Sequence, residues 1–335
     1  MGNTKAWGWT MIQEVFKNIF RIEIPISNSP VDTINSYVVK GPERSLIIDT
    51  GLNQEECMNA MQAGLREIGV NLGKTDFFIT HVHPDHIGLV PRLAKDSTRI
   101  YFNQPESDWI RTGINWNDFI PLARSHGFPE EDLHTALQIR HGFEFIADWH
   151  RPFHILKEGD TIELGENVFR CIETPGHSKG HMCLYEADKK IFLSGDHILG
   201  DITSGIQLWS DDWDPLKEYL ESLEKVDQLE IDLVLPGHRD MIRNYRERIQ
   251  DLRLHHEKRT REIVSILEKG NKNAFQIGSQ MSWDISCDSW DRFPFLQKCF
   301  AVGEALAHLK YLEGKKKIGR GIQDGRIVYS SSCVD

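Results

Sequence analysis

No two cysteines in this chain stand at the Cys-x-x-Cys spacing. The six that it has, Cys57, Cys171, Cys183, Cys287, Cys299 and Cys333, are scattered along its 335 residues, which speaks against a zinc finger and a disulfide framework and in favour of buried or free thiols. Long apolar runs are also missing, and none approaches the ~20 residues needed to span a bilayer. Met1 to Thr10 holds a single Lys and no apolar stretch. A secretory signal is therefore not expected, and a cytoplasmic protein without membrane attachment is. Positive charge is scarce, with 39 Lys and Arg against 50 Asp and Glu and a net charge of −11. Hydrophobic residues at 40% and charged residues at 27% are ordinary for a globular protein. The length favours two domains, or one domain with additions.

What the chain does have is histidine in four short blocks. They are Thr80-His81-Val82-His83-Pro84-Asp85-His86, Pro175-Gly176-His177, Ser194-Gly195-Asp196-His197 and Pro236-Gly237-His238. Each follows a run that reads as a buried strand: residues 76–80, 168–172, 190–193 and 231–235. Strand ends feeding loops are where sheet proteins often place their chemistry. Neutral imidazole suits zinc, iron and nickel, and a carboxylate can bridge two cations. The spacing therefore suggests His81, His83 and His177 for one metal, Asp85, His86 and His238 for a second, and Asp196 shared between them. Two ions about 3.5–4 Å apart would hold a hydroxide ready at neutral pH. Asp85 would also accept or relay a proton. His181 and His197 lie next to these residues in sequence and read either as pocket residues or as supports of the loops.

At these residues the chain resembles the metallo-β-lactamase superfamily, whose pattern is a His-x-His-x-Asp-His loop followed by a distant His, an Asp and a final His. All seven positions match, over roughly residues 18 to 240. The resemblance implies an α/β fold, a two-sheet αββα sandwich with the metals at one edge. It also implies a strand-end Asp that orients the ligand loop by hydrogen bonds, and Leu46-Ile47-Ile48-Asp49-Thr50-Gly51 supplies Asp49. His83 stands where the diiron flavoproteins of the superfamily carry Glu, and Asp196 supplies a carboxylate where some true β-lactamases use Cys in their second metal site. Redox chemistry and specialised β-lactam hydrolysis are both disfavoured. The segment after Asp196 lacks the Lys and Tyr by which the related glyoxalase II family grips glutathione, which leaves other esters and thioesters open.

Ninety residues separate His86 from His177, more than one strand-helix unit needs. The surplus is placed at about 103–158 as a helical insertion, rich in aromatics (Trp109, Trp116, Phe119, Phe128, Phe143, Phe145, Trp149, Phe153) that read as a small core or as the face of a lid. Its five histidines, His126, His134, His141, His150 and His154, lack ligand spacing and read as solvated. Beyond His238, a long helix is expected from Met241 to Lys269, then two more helices and a hairpin at Asp324-Gly325. This resembles the winged-helix extension of β-lactamase-like protein 2 relatives. The division is a catalytic domain over 1–240 and a helical, winged-helix-like domain over 241–335.

Residues 241–335 carry 17 Lys and Arg against 12 Asp and Glu, while the first 240 residues carry 22 against 38. Some relatives of this type cut single-stranded RNA, but a strongly acidic catalytic region repels a polyanion. The best anion patch is Lys315 to Lys317 with Arg320. The expected function is a two-metal hydrolase of an ester, thioester, lactone or related small acyl substrate. Zinc is the expected metal, with iron or manganese as alternatives. A metal-dependent endoribonuclease, or a metal-containing regulatory protein with little turnover, is the alternative reading. The C-terminal region would bind nucleic acid, close the pocket or pair two subunits in a homodimer.

Overall fold

The computed structural model of the chain describes residues 11–27, 31–113, 116–139, 149, 151–208, 210–284, 287 and 289–331. The first of its two large sheets contains β1 (Ile12–Phe16), β2 (Ile19–Pro25), β3 (Thr33–Lys40), β4 (Ser45–Ile48), β5 (Thr75–Phe78), β6 (Ile100–Asn103) and β7 (His154–Leu156), side by side in that order. The second contains β8 (Thr161–Leu164), β9 (Asn167–Glu173), β10 (Met182–Glu186), β11 (Ile191–Gly195) and β12 (Leu233–Pro236), again in sequence order. Strands β1 to β4 are antiparallel. Strands β4 to β7 are parallel, and each parallel step needs a crossover. Helix α1 (Glu55–Ile68) makes the first, the short α2 (Pro84–Ile87) and α3 (Val90–Leu93) the second, and α4 (Gln104–Thr112), α5 (Trp116–Ser125) and α6 (Glu130–Ile139) the third. Helix α7 (Pro215–Asp227) joins the parallel pair β11 and β12.

Three apolar layers explain the stacking. Tyr37, Val39, Leu46, Ile48 and Phe78 of the first sheet meet Phe169, Met182, Leu184, Leu193 and Leu235 of the second. The outer face of the first sheet packs on α1, α3 and α4 through Ile22, Val38, Phe77, Met61, Leu65 and Leu93. The outer face of the second packs on α7 and on the C-terminal helices. Helices therefore cover both faces of a double sheet, the αββα sandwich. Strands covered on both sides lose the polar alternation of a half-exposed strand, as the fully buried Thr75-Asp76-Phe77-Phe78 and Ile191-Phe192-Leu193-Ser194-Gly195 show.

The C-terminal elements are α8 (Tyr245–Leu267), α9 (Ala274–Gly278), α10 (Phe295–Gly314) and the hairpin β13 (Ile318–Gln323) and β14 (Arg326–Ser331), turning at Asp324 and Gly325. Helix α8 begins at Tyr245 instead of Met241, because Ile242 forms a bridge with Val234 at the sheet edge. Helix α10 is apolar nearly all round and buried, with Val302, Ala305, Leu306, Leu309 and Leu312 in one continuous core with Leu216, Tyr219 and Leu223 of α7. A helix that is hydrophobic on every side belongs inside a protein. Of the expected anion patch, Arg320 is committed to a two-pronged pair with Asp211 at 2.9 and 2.8 Å, and Lys315 lies over the Tyr311 ring.

The expected insertion is narrower than 103–158. Asn103 closes β6, His154–Leu156 is a sheet strand, and the helices among the described residues between them are α4, α5 and α6. Of its described aromatics, Phe128 meets Phe275 at 5.2 Å, and Phe153 stacks on Trp149 and lies tilted against Phe102. His126, expected in solvent, is buried and parallel to the Tyr329 ring. The segments 1–10 and 332–335, with Cys333, lie outside the described residues, as do His141, Phe143, Phe145 and His150; the side chains of Trp116 and His134 do too.

Candidate metal centre

The four histidine blocks meet at one edge of the sandwich, where β5, β9, β11 and β12 end. Three groups of donor atoms each lie within 4.8 Å of one another: His81, His83 and His177; Asp85, His86 and His238; and His81, His86 and Asp196. His83 Nδ1 and His81 Nε2 are 2.9 and 3.2 Å from His177 Nε2. On the other side, His238 Nε2 is 3.3 Å from Asp85 Oδ2. Asp196 reaches both sides, with its oxygens 3.7 Å from His177, 3.5 Å from His86 and 3.6 Å from His238. His81 and His86 are fully buried, whereas the Asp85 side chain keeps 21% of its exposure. The cluster therefore opens to solvent past Asp85.

The hydrogen bonds behind the rings fix which nitrogen faces inward. Asp49 accepts the Thr80 amide at 2.9 Å and the Thr80 hydroxyl at 2.8 Å. That hydroxyl has one proton and gives it to the carboxylate, so its lone pair accepts from His81 Nδ1 at 2.9 Å. His86 Nδ1 donates to Asp49 at 2.7 Å, His177 Nδ1 to the Gly205 carbonyl at 2.8 Å, and His238 Nδ1 to the Thr33 carbonyl at 2.8 Å. With each Nδ1 holding the proton, four Nε2 lone pairs point into the cluster, joined by His83 Nδ1. Among the described residues, the buried His86 Nε2 and Asp196 Oδ1 have no hydrogen-bond partner but each other, at a long 3.5 Å. Converging lone pairs and orphaned buried acceptors are costly unless something electron-poor sits among them. The residues fit divalent metal.

Electrostatics point the same way. Burial, then His86, His83 and His177, hold His81 well below the ordinary imidazole value. Burial does the same to His83, down to about 3. Burial opposes charge on Asp85 and Asp196 as well, but His86 and His238 outweigh it and keep both carboxyls below their ordinary range. Conversely Asp49, Asp196 and Asp85 overcome burial to raise His86. The carboxylates demand positive charge within reach.

Backbone geometry keeps the loops close. A Cβ on Gly237 would lie 2.6 Å from Asp196 Oδ1 and 3.0 Å from His86 Cε1, so only glycine lets the last block approach. Asn35, buried in β3, donates to the Pro236 and Arg239 carbonyls at 3.0 and 2.8 Å, and the Tyr37 hydroxyl donates to Pro236 at 2.9 Å. Glu106, buried in the first turn of α4, accepts the amides of Val82 and Gly180. None of Thr80, Asn35, Tyr37 and Glu106 was singled out from sequence. The one available signal is the polar pair Asn35-Ser36 between Ile34 and Tyr37-Val38-Val39 in β3.

His181 and His197 turn away from the open side. His181 Nε2 accepts the Asp196 amide at 3.1 Å, so its Nδ1 carries the proton and donates to Thr174. His197 is buried and packs edge-on against Tyr219 at 5.3 Å. Their geometry supports loops and contributes no donor to the opening.

Residues 29–238 match the profile of the Metallo-beta-lactamase superfamily. The chain belongs to that superfamily. With its cluster of histidine and aspartate donors it is a metal-binding hydrolase. It is 27% identical to the probable metallo-hydrolase YqjP of Bacillus subtilis, over 93% of this chain and 97% of the relative. It is 29% identical to the human acyl-coenzyme A thioesterase MBLAC2, over 61% of this chain and 72% of the relative. Among solved structures, the metallo-beta-lactamase family protein TTHA1429 of Thermus thermophilus superposes with a TM-score of 0.79 at 26% identity, covering 95% of this chain and 99% of that one.

Proposed function

We propose that the chain is a binuclear hydrolase of small acyl esters or thioesters. The observation that carries this reading is Asp196, one carboxylate within 3.7 Å of imidazoles from both donor triads. His81, His83 and His177 would hold one ion, Asp85, His86 and His238 the other, with Asp196 shared. A donor set this rich in imidazole suits zinc, with iron or manganese as the alternatives. Divalent ions held there supply a Lewis acid for an acyl carbonyl and lower the pKa of water toward neutrality. Asp85 stands at the open rim as a carboxylate, placed to orient an attacking water and take its proton. Asp49, Thr80 and the Gly205 and Thr33 carbonyls keep the imidazoles in the tautomer that faces inward. The acyl preference draws on the human relative, which is described as an acyl-coenzyme A thioesterase.

Residues 1–240 would form the catalytic unit, with 241–335 folded against it. Nucleic acid is a weaker fit as substrate, because Arg320 is paired and α10 is buried. No helix among the described residues is long and apolar enough to cross a membrane.

The test is hydrolysis of acyl-coenzyme A and aryl ester panels by protein of measured metal content. Wild type should carry two ions per chain. Asp196→Ala should carry one or fewer and lose activity by at least about 100-fold. Equal activity in the two proteins would locate the chemistry elsewhere.

A further inference from the structure

We infer that Glu106 is a positioning residue that staples the two loops of the His81, His83 and His177 triad and sets the affinity of that half of the centre. The inference rests on the metal-centre reading above. The two loops come from different sheets, one after β5 and one after β9, and are 90 residues apart in sequence. Val82 lies between His81 and His83, and Gly180 lies three residues after His177. A single carboxylate accepts both amides, Val82 N–H at 2.9 Å on Oε2 and Gly180 N–H at 2.6 Å on Oε1.

The fit is close on every side. A Cβ on Gly180 would lie 2.8 Å from Glu106 Cγ and 2.8 Å from Asn103 Oδ1, so a side chain at that position would push α4 off the loop. Glu106 is only 2% exposed, and no Lys or Arg pairs with it among the described residues. Burial pushes its carboxyl up, and the Ser178 side chain, the Gly180 and Val82 amides and its own place in the first turn of α4, where helix N–H groups favour an anion, work against that. A buried carboxyl that faces two backbone N–H groups and the Ser178 side chain but no cation is costly to keep for packing alone, since an apolar residue would fill the space without desolvating a polar group. Here it fixes the separation of three imidazoles, with His83 Nδ1 and His81 Nε2 standing 2.9 and 3.2 Å from His177 Nε2. Groups that orient metal ligands in this way typically change affinity by about 10–100-fold when they are lost.

Glu106→Gln keeps the shape but turns an amide NH2 toward one of the two backbone donors. The experiment loads chelator-stripped, full-length protein with cobalt(II), following the visible spectrum and the two binding steps by chelator competition. Wild type should bind two ions. The variant should bind the ion of the histidine triad about 10–100-fold more weakly, and the ion of the Asp85, His86 and His238 triad as wild type does. Hydrogen exchange on wild type should show the Val82 and Gly180 amides equally protected. Glu106→Asp, which shortens the arm but keeps both acceptors, should recover part of the affinity.

Two wild-type-like binding steps in Glu106→Gln would overturn the inference and leave the binuclear reading standing. An equal loss at both steps would make Glu106 a general support of the fold and would also overturn it. If Glu106→Gln does not fold, unequal exchange of the two wild-type amides decides against the staple. Wild type that takes up no cobalt would sink the metal-centre reading, and this inference with it.

Discussion

Thr80 Oγ1 carries one proton, and three polar atoms lie around it. Asp49 takes that proton, and the oxygen is left to accept from His81, so one hydroxyl passes the charge of a buried carboxylate on to a histidine tautomer. Asp49 holds a left-handed backbone, with φ of 57°, which is uncommon for a residue with a side chain. That bend, at the end of β4, turns its carboxylate under the ligand loop. Thr80→Val keeps the shape and removes both hydrogen bonds. Metal affinity should fall by about 10–100-fold, read by chelator competition, with little change in far-ultraviolet circular dichroism. Unchanged affinity would mean that the tautomer of His81 is set elsewhere.

At the scale of elements, the short helix α9 is held by a reciprocal cap. The Asn273 side chain accepts the Gln276 amide at 2.9 Å, and the Gln276 side chain accepts the Asn273 amide at 3.1 Å. Asn273→Ala should destabilise the protein by about 1 kcal/mol, measured as a shift in urea midpoint. Helix α10 should be far less tolerant. Leu309 is fully buried in the core that α10 shares with α7 and α8, and Leu309→Ala should cost about 2–5 kcal/mol in the same measurement. A small effect would show that the C-terminal helices contribute little to the shared core. The hairpin was legible in the sequence, because Asp-Gly between two alternating runs is a local signal. The depth of α10 was not. Its apolar residues fix that it is covered, and which partner covers it depends on α7, some 80 residues earlier.

For the whole molecule, the buried histidines outside the metal centre set a dependence on pH. Burial holds His308 down to about 3 and His256 well below its ordinary value, and the two share a hydrogen bond of 3.1 Å. Unfolded, each would take up a proton near pH 6.5. The unfolded state therefore binds more protons below that pH, and stability is lost as pH falls from about 6.5 toward the folded-state values. At pH 5 a histidine held that low costs about 2 kcal/mol relative to neutral pH. Urea unfolding between pH 7.5 and 5 should show this slope, and His308→Gln should flatten it; a slope unchanged by the substitution would assign the effect to other groups.

The sequence by itself determined the donor types, their order along the chain and the strand endings that present them, because each of these is local: a short apolar run, a turn, a spacing of two or three residues. It also carried enough of a family's pattern to imply the double-sheet architecture. Only the tertiary structure decided which nitrogen of each imidazole faces inward, that one carboxylate lies between two triads, that Glu106 and Asn35 clamp loops from different sheets, and that the C-terminal helices share the core of the sandwich. The reason is physical. Those features rest on hydrogen bonds and packing between residues 24 to 201 positions apart, and no periodicity in the chain encodes which of its many polar side chains will meet across that distance once the apolar layers have closed.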